Sequence, residues 1–517
     1  MENERLYLFE ILNMQMTKMG VIMTILFKCD KVIRSMKNKI VKKGERKSMK
    51  KRKYLALLLA AGMIAQTALS TGGVVQVQAA EDTYVKTDEL TDNDTAAPKK
   101  DSVIPSKNQY EYQKQELAAF CHFGMNTYTG SEWGNGKENP NQFQLTNDFD
   151  EETYVKAIHD AGFKKLIITA KHHDGFCIWP SEMTTHDTET AGYEGDVLEE
   201  LSRACTKYNI DMGLYLSPWD VNSEYYGYKD KDGKKLVGAD GQPLNGKTWD
   251  QVKQEDALDY NEYYDNQLKE ILGNDKYGNN GHFKEVWMDG AKDTNDKSNA
   301  QDYDFQRWFK TIQQYEGKAS GKYEDDCLLF GAESYTTVRW IGNERGYAAE
   351  ETWQSQQSTE RIIRSIVTVE TDIRKDFRME ISGLCRRRIQ RLRQAGSGEK
   401  ARKTPLSMEQ LAGIYFGSVG HNATLLLNVP PNKQGTVDAD ILARVAEFGK
   451  AVQNTFDKNL AEKASVSATE VRGNSKKYSP ENLLDGNDET YWTVGDGTTS
   501  GKVLIDLGES KSSMLCR

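Results

Sequence analysis

Val286-Trp287-Met288-Asp289-Gly290-Ala291 decides how the rest of the chain is read. A short apolar run ends in a carboxylate and then in two small residues. Strands covered on both faces are apolar throughout, and in parallel barrels the chemistry collects at their C-terminal ends. Asp289 is therefore the candidate nucleophile. The same form recurs upstream. Leu117–Cys121 leads to His122-Phe123-Gly124, with Glu132-Trp133-Gly134 in the loop beyond. Lys165–Ala170 runs into Lys171-His172-His173-Asp174-Gly175-Phe176, and Met212–Leu216 into Ser217-Pro218-Trp219. Vicinal histidines project to opposite sides of an extended chain, so only one of His172 and His173 need touch a substrate while the other supports it.

Between these strands the apolar spacing turns helical, over Phe149–Gly162, Asp196–Tyr208 and Tyr260–Leu272. Residues 225–247 are polar and glycine-rich and read as an insertion. Cys327–Phe330 is a fifth strand, followed by Gly331-Ala332-Glu333 and then by Arg339–Gly346 (RWIGNERG). Leu406–Ser418 is helical, Ala423–Val429 is a buried strand stopped by Pro430-Pro431, and Ala439–Val452 is a closing helix. Strand alternating with helix gives an α/β fold. Polar residues at successive strand tips favour a (β/α)8-like barrel over an open sheet.

The 517 residues suffice for a large catalytic domain, here 109–455, plus a smaller module. A net charge of −9 implies no general attraction to nucleic acid. The 9 Trp and 25 Tyr suit a sugar cleft, but suit an ordinary core as well. Seven cysteines at irregular spacing form neither a metal pattern nor a disulfide framework, so no metal or other cofactor is expected. Met49-Lys50-Lys51-Arg52-Lys53, the apolar Tyr54–Ala68 and Val77-Gln78-Ala79 have the form of a signal peptide over 49–80. The expected product is exported in the bacterial manner, secreted or held at the cell surface. The apolar run is short for a membrane span, so none is expected after cleavage. Residues 1–48 read as upstream sequence from an early start, because Lys43-Gly44-Glu45-Arg46 can be encoded as a purine-rich ribosome-binding site. Residues 81–108 are polar and read as a linker.

Taken together, HFG at 122, EW at 132, KHHDGF at 171, YLSPWD at 215, VWMDGA at 286 and GSVGHNATLLLNVPP at 417 resemble the α-L-fucosidases of glycoside hydrolase family 29. The likeness covers roughly 112–353 and 404–455. It implies a retaining exo-glycosidase, with Asp289 as nucleophile and fucosylated oligosaccharides or glycoproteins as partners. His122, Glu132, Trp133, His172, His173, Tyr215 and Trp287 fall at the family's sugar-binding positions. WIGNERG is similar to the branch that prefers α-1,3/1,4-linked fucose. Retaining glycosidases need a second carboxyl, about 5–5.5 Å from the first, as acid and then base. Glu344 is assigned that role, with Glu333 and Glu351 as rivals.

Two stretches depart from this pattern. Residues 354–403 are strongly basic and lack regular apolar periodicity, which we read as a reading-frame slip. Cys385–Lys400 can be encoded so that the shifted frame gives PEADTTITSGWFWGK, and Arg361–Val369 so that it gives NNSIDSNS. The expected consequence is a lost seventh strand, two unpaired barrel edges, and an irregular excursion carrying Arg386, Arg387, Arg388, Arg391 and Arg393. Ala464–Gly508 resembles the start of a discoidin-like, family 32 carbohydrate-binding β-sandwich, so 456–517 is a truncated module, cut by a second slip near 512. The alternative function is a frame-damaged, catalytically dead homologue or a glycan-binding protein without turnover.

Overall fold

The computed structural model describes residues 83–99, 104–146, 148–238, 242–289, 301–317, 327–331, 335–349, 356–357, 364–372 and 404–509. The expected signal peptide at 49–80, residues 1–48, Glu333, Glu351 and the arginine-rich run 373–403 lie outside them. Among the described residues no helix is long and apolar enough to cross a membrane.

The sheet is built from β1 (Leu117–Cys121), β2 (Lys165–Lys171), β3 (Asp211–Leu216), β4 (Glu285–Trp287), β5 (Leu328–Phe330), β6 (Val338–Trp340), β7 (Arg364–Asp372) and β8 (Thr424–Asn428). Each pairs in parallel with its neighbours in sequence. β8 returns to β1, with Leu117 opposite Leu425 and Phe120 opposite Asn428, so the pairings run round a ring. This curled α/β sheet fits a (β/α)8-like domain.

Residue parity sorts the strands into two layers. Ala118, Phe120, Ile167, Tyr215, Trp287, Leu328, Phe330, Val338 and Leu426 pack on one another inside the ring. Leu117, Ala119, Leu166, Ile168, Met212, Leu214, Val286, Leu329, Leu425 and Leu427 pack outward, in the core that takes in the helices. Side chains alternate faces along a strand, so each apolar run supplies both layers. Gly213 sits where the inner layer is tightest, since a Cβ there would lie 2.9 Å from Ile167 Cγ1. At the N-terminal end of the ring, Lys165 pairs with Glu285 at 3.0 Å, under the ring of Tyr112.

The helices follow their sequence signals. Glu151–Asp160, Val197–Lys207 and Tyr260–Leu272 start at Asp150, Asp196 and Asp259, whose carboxylates accept from the backbone N–H three residues on. Glutamates in their first turns complement the helix dipole. The closing helix is longer than expected, running Ala439–Phe456.

Two expectations are corrected. The segment expected to leave a gap supplies β7, which pairs with β6 through Val338–Ile366 and with β8 through Thr368–Thr424. The edges of β6 and β8 are therefore not left unpaired. Ladder bonds come from the backbone, and Ile366-Val367-Thr368-Val369 is β-branched throughout, so the stretch accepts the extended seat. Nor do residues 84–97 hang free as a linker. Val85 bridges Ala468, Leu90 is buried against Ala468, Val471 and Tyr478, and Arg472 donates to the carbonyl of Ala96 at 2.8 Å. The segment is polar because much of its docking uses backbone groups. The C-terminal region itself holds, among the described residues, one two-stranded antiparallel sheet, Ser465–Ala468 with Val503–Asp506. Val85 bridges the outer side of Ala468, an edge of this sheet that would otherwise be unpaired.

Candidate active site

The tips of β1, β2, β3 and β4 bring five of the expected residues together. Tyr215, the penultimate residue of β3, points into the ring and donates its hydroxyl to Asp289 Oδ2 at 3.0 Å. Asp289 stands two residues beyond β4, its side chain 45% exposed, so it is reachable from solvent yet held from below. The imidazole of His172 stacks on Tyr215 at 5.5 Å with planes 6° apart, and His122 lies 5.9 Å from His172. His173 Nε2 lies 3.7 Å from Asp289 Oδ2.

His172 and His173 are held as neutral bases. Burial lowers His173 to about 4, Asp289 pulling the other way. Burial, then the neighbouring His173 and His122, push His172 well below the usual imidazole range. His122 Nδ1 lies 3.1 Å from Asn428 Oδ1, and the His122 backbone N–H points at the same oxygen. An amide oxygen only accepts, so Nδ1 carries a hydrogen. A site of neutral donors and acceptors around one carboxylate suits a polyhydroxylated, uncharged ligand.

Aromatic side chains floor and flank the site. Trp287 is buried, stacked on Phe330 at 3.6 Å and 5.9 Å from Tyr215, and its indole N–H donates to Glu285 at 3.1 Å. It supports the layer beneath Asp289. Trp133, by contrast, is 54% exposed and meets Trp219 edge-on at 5.8 Å, and Trp219 lies 4.7 Å from the His173 ring. Gly134 makes this approach possible. Its φ is +72°, and a Cβ would lie 2.6 Å from Asp174 Cβ. Glu132 is exposed beside Trp133. Glu344 is exposed in the loop that follows β6, at the same end of the ring as Asp289.

Behind the histidines lies a buried ion pair. Lys171 Nζ bonds Asp220 Oδ2 at 3.1 Å and Gln267 Oε1 at 2.8 Å, within 5.2–5.8 Å of the rings of Tyr260, Tyr263 and Tyr264. Asp220 Oδ1 accepts from the backbone of Asn222 and Ser223. The pair ties the His172–His173 loop to the Ser217–Ser223 loop. Asp174, next to it, is buried and its carboxyl is pushed up to about 7, by desolvation first and then by Glu138 and Asp220.

Sequence reading singled out neither Asn428, Ser217 and Trp219 nor the Lys171–Asp220 pair. All five stand inside the quoted motifs, so the signal was present. What was missing was the partner of each, which lies 2 to 306 positions away.

A family model described as alpha-L-fucosidase matches residues 83–371. Alpha-L-fucosidase 1 of Arabidopsis thaliana is 35% identical over 416 residues, covering 78% of this chain and 71% of that protein. A GH29 fucosidase of Ruminococcus gnavus, solved in complex with fucose, is 51% identical with a TM-score of 0.69, covering 83% of each chain. The structure of SpGH29 is 33% identical with a TM-score of 0.63, over 80% of this chain and 83% of that one. A parallel-barrel sheet with a carboxylate at a strand tip, taken with these likenesses, defines a glycoside hydrolase. The chain belongs to the α-L-fucosidase family, glycoside hydrolase family 29.

Proposed function

We propose that this enzyme is an exported, retaining exo-α-L-fucosidase that removes terminal α-1,3/1,4-linked fucose from branched glycans. The observation that carries the reading is the half-exposed Asp289 carboxylate, bonded by Tyr215 and ringed by His122, His172 and His173. Asp289 attacks the anomeric carbon while Glu344 protonates the departing glycosidic oxygen, giving a fucosyl ester and a free aglycone. Glu344 then takes a proton from water, whose oxygen displaces Asp289 and releases fucose with its configuration kept. His122, the neutral His172 and His173, and Glu132 hold the sugar hydroxyls, and Trp133 with Trp219 offers an apolar wall. Residues 49–80 direct export, and the unit at 456–517 descends from a family 32-like carbohydrate-binding sandwich.

The test is fucose release from a Lewis-type trisaccharide and from an aryl fucoside, with the anomer of the first product read by NMR. Asp289→Asn should lose about a thousandfold or more in turnover, and azide should rescue Asp289→Gly. β-Fucose as first product, or a fully active Asp289→Asn, overturns the mechanism. The catalytically dead alternative draws on the basic run 354–403. It is tested by assaying the 517-residue chain beside a frame-restored one, and it gains support if only the restored chain turns over.

A further inference from the structure

We propose that Ser217 is a positioning residue of this site, its hydroxyl donating to Nδ1 of His173 and so turning the Nε2–H of that ring toward Asp289. The consequence for turnover rests on the reading of Asp289 as nucleophile; the placement of the proton does not.

Ser217 is the first residue past β3 and is fully buried. Its backbone N–H donates to the carbonyl of Lys171 at 2.9 Å, extending the β2–β3 ladder one step, so the side chain starts from a fixed point. Its Oγ then meets three strand tips. It lies 2.7 Å from His173 Nδ1, 2.7 Å from the Trp219 carbonyl and 3.3 Å from the Asp289 carbonyl, and it accepts the Trp219 N–H at 3.1 Å.

A hydroxyl has one hydrogen, and three acceptors stand within reach of it. The far side of the imidazole decides between them. Nε2 lies 3.7 Å from Asp289 Oδ2, beyond a hydrogen bond but well inside the range of charge–dipole interaction. A lone pair at Nε2 would face the carboxylate with repulsion; an N–H faces it with attraction. With the ring proton on Nε2, Nδ1 must accept, and Ser217 is the donor at 2.7 Å. The cost is a carbonyl with one bond fewer, which proteins tolerate better than an unpaired N–H. The other charged or titratable groups that face His173 are His172 beside it, with ring centroids 4.2 Å apart, His122 from the tip of β1, Asp220 from the loop after β3, and Lys171 from β2. Lys171 and Asp220 are bonded to each other, so neither presents an uncompensated charge to the ring.

Long-range 1H–15N correlation spectra of histidine-labelled protein read the tautomer directly, with His173→Gln identifying the signals. The wild type should show His173 protonated at Nε2. Ser217→Ala should move that proton wholly or partly to Nδ1, and Ser217→Thr, which keeps a hydroxyl, should restore it. On an aryl fucoside, Ser217→Ala should lower kcat about tenfold with KM little changed, and Ser217→Thr should recover most of it. A wild-type His173 protonated at Nδ1 overturns the proposal, and so does an Ser217→Ala spectrum identical to wild type. The wild-type spectrum decides even if the alanine variant does not fold. The spectra need no turnover, so a failed azide rescue of Asp289→Gly would remove the nucleophile assignment while leaving this proposal scored on its own.

Discussion

Replacing Lys171 by methionine leaves Asp220 buried without its cation. Both side chains are essentially inaccessible, at 0% and 1%, and their contact is 3.1 Å. Removing one partner of such a pair costs about 3–5 kcal/mol, because the survivor's charge is no longer compensated. Asp220 keeps two backbone donors, Asn222 at 3.1 Å and Ser223 at 2.8 Å, which places the loss near the lower end, about 3 kcal/mol. Gln267 Oε1 loses the ammonium at 2.8 Å, and the bond Gln267 keeps, Nε2–H to the Tyr263 hydroxyl at 3.1 Å, does not satisfy that oxygen, so a further ~1–3 kcal/mol is lost. Methionine fills the lysine stem's volume and its sulfur suits the three tyrosine rings, so cavity terms stay small. Urea unfolding followed by tryptophan fluorescence gives the loss from the shift in midpoint. The Lys171→Met/Asp220→Asn double variant should recover about 2 kcal/mol of it, since a neutral pair leaves no orphaned charge. Turnover should fall as well, because the staple between the His173 and Trp219 loops is gone although Lys171 touches no substrate in the proposed mechanism. A cost under about 1 kcal/mol, or a double variant no better than the single, would refute the electrostatic reasoning.

Further outcomes follow from other parts of the structure. Burial raises the Asp174 carboxyl from 3.8 unfolded to about 7 folded, so the stability it allows is complete below about pH 3.8 and is lost as pH rises toward 7. Asp174→Asn should remove that slope, gaining on the wild type by up to about 4 kcal/mol between pH 4 and 8, as urea midpoints at each pH will show; parallel curves would contradict it. Gly134→Ala, with a Cβ 2.6 Å from Asp174 and φ at +72°, should lift the Trp133 loop and raise KM about three- to tenfold with a smaller change in kcat. An unchanged KM would mean that Trp133 does not contact the sugar or its aglycone. Leu90→Ala should cost the clasp between residues 84–97 and the C-terminal unit about 2–3 kcal/mol. Limited proteolysis should then cut 464–508 faster while the barrel's unfolding midpoint holds, and equal cleavage rates would show that the segment is not needed there.

Strand order and strand tips were legible in the sequence because each buried parallel strand is written locally, as an apolar run that stops at a polar residue. Leu117–Cys121, Lys165–Lys171 and Thr424–Asn428 could be read this way without their partners. Asp289, His122, His172, His173 and Tyr215 were legible for the same reason, since closing a parallel ring carries every C-terminal tip to one end. The seventh strand was expected to be lost because the run 354–403 as a whole is basic, but residues 364–372 within it pair through their backbone all the same.

Only the tertiary structure could decide what each tip residue leans on. Asn428 lies 306 positions from His122, Ser217 44 from His173, and Asp220 49 from Lys171. The clasp joins Val85 to Ala468 and Tyr478 to Thr95, near the two ends of the described chain. These contacts leave no local period in the sequence, because they come from ring closure rather than from neighbouring residues. Chain order specified which groups reach the barrel mouth. Long-range packing set the burial, the partners and the distances that make those groups a site.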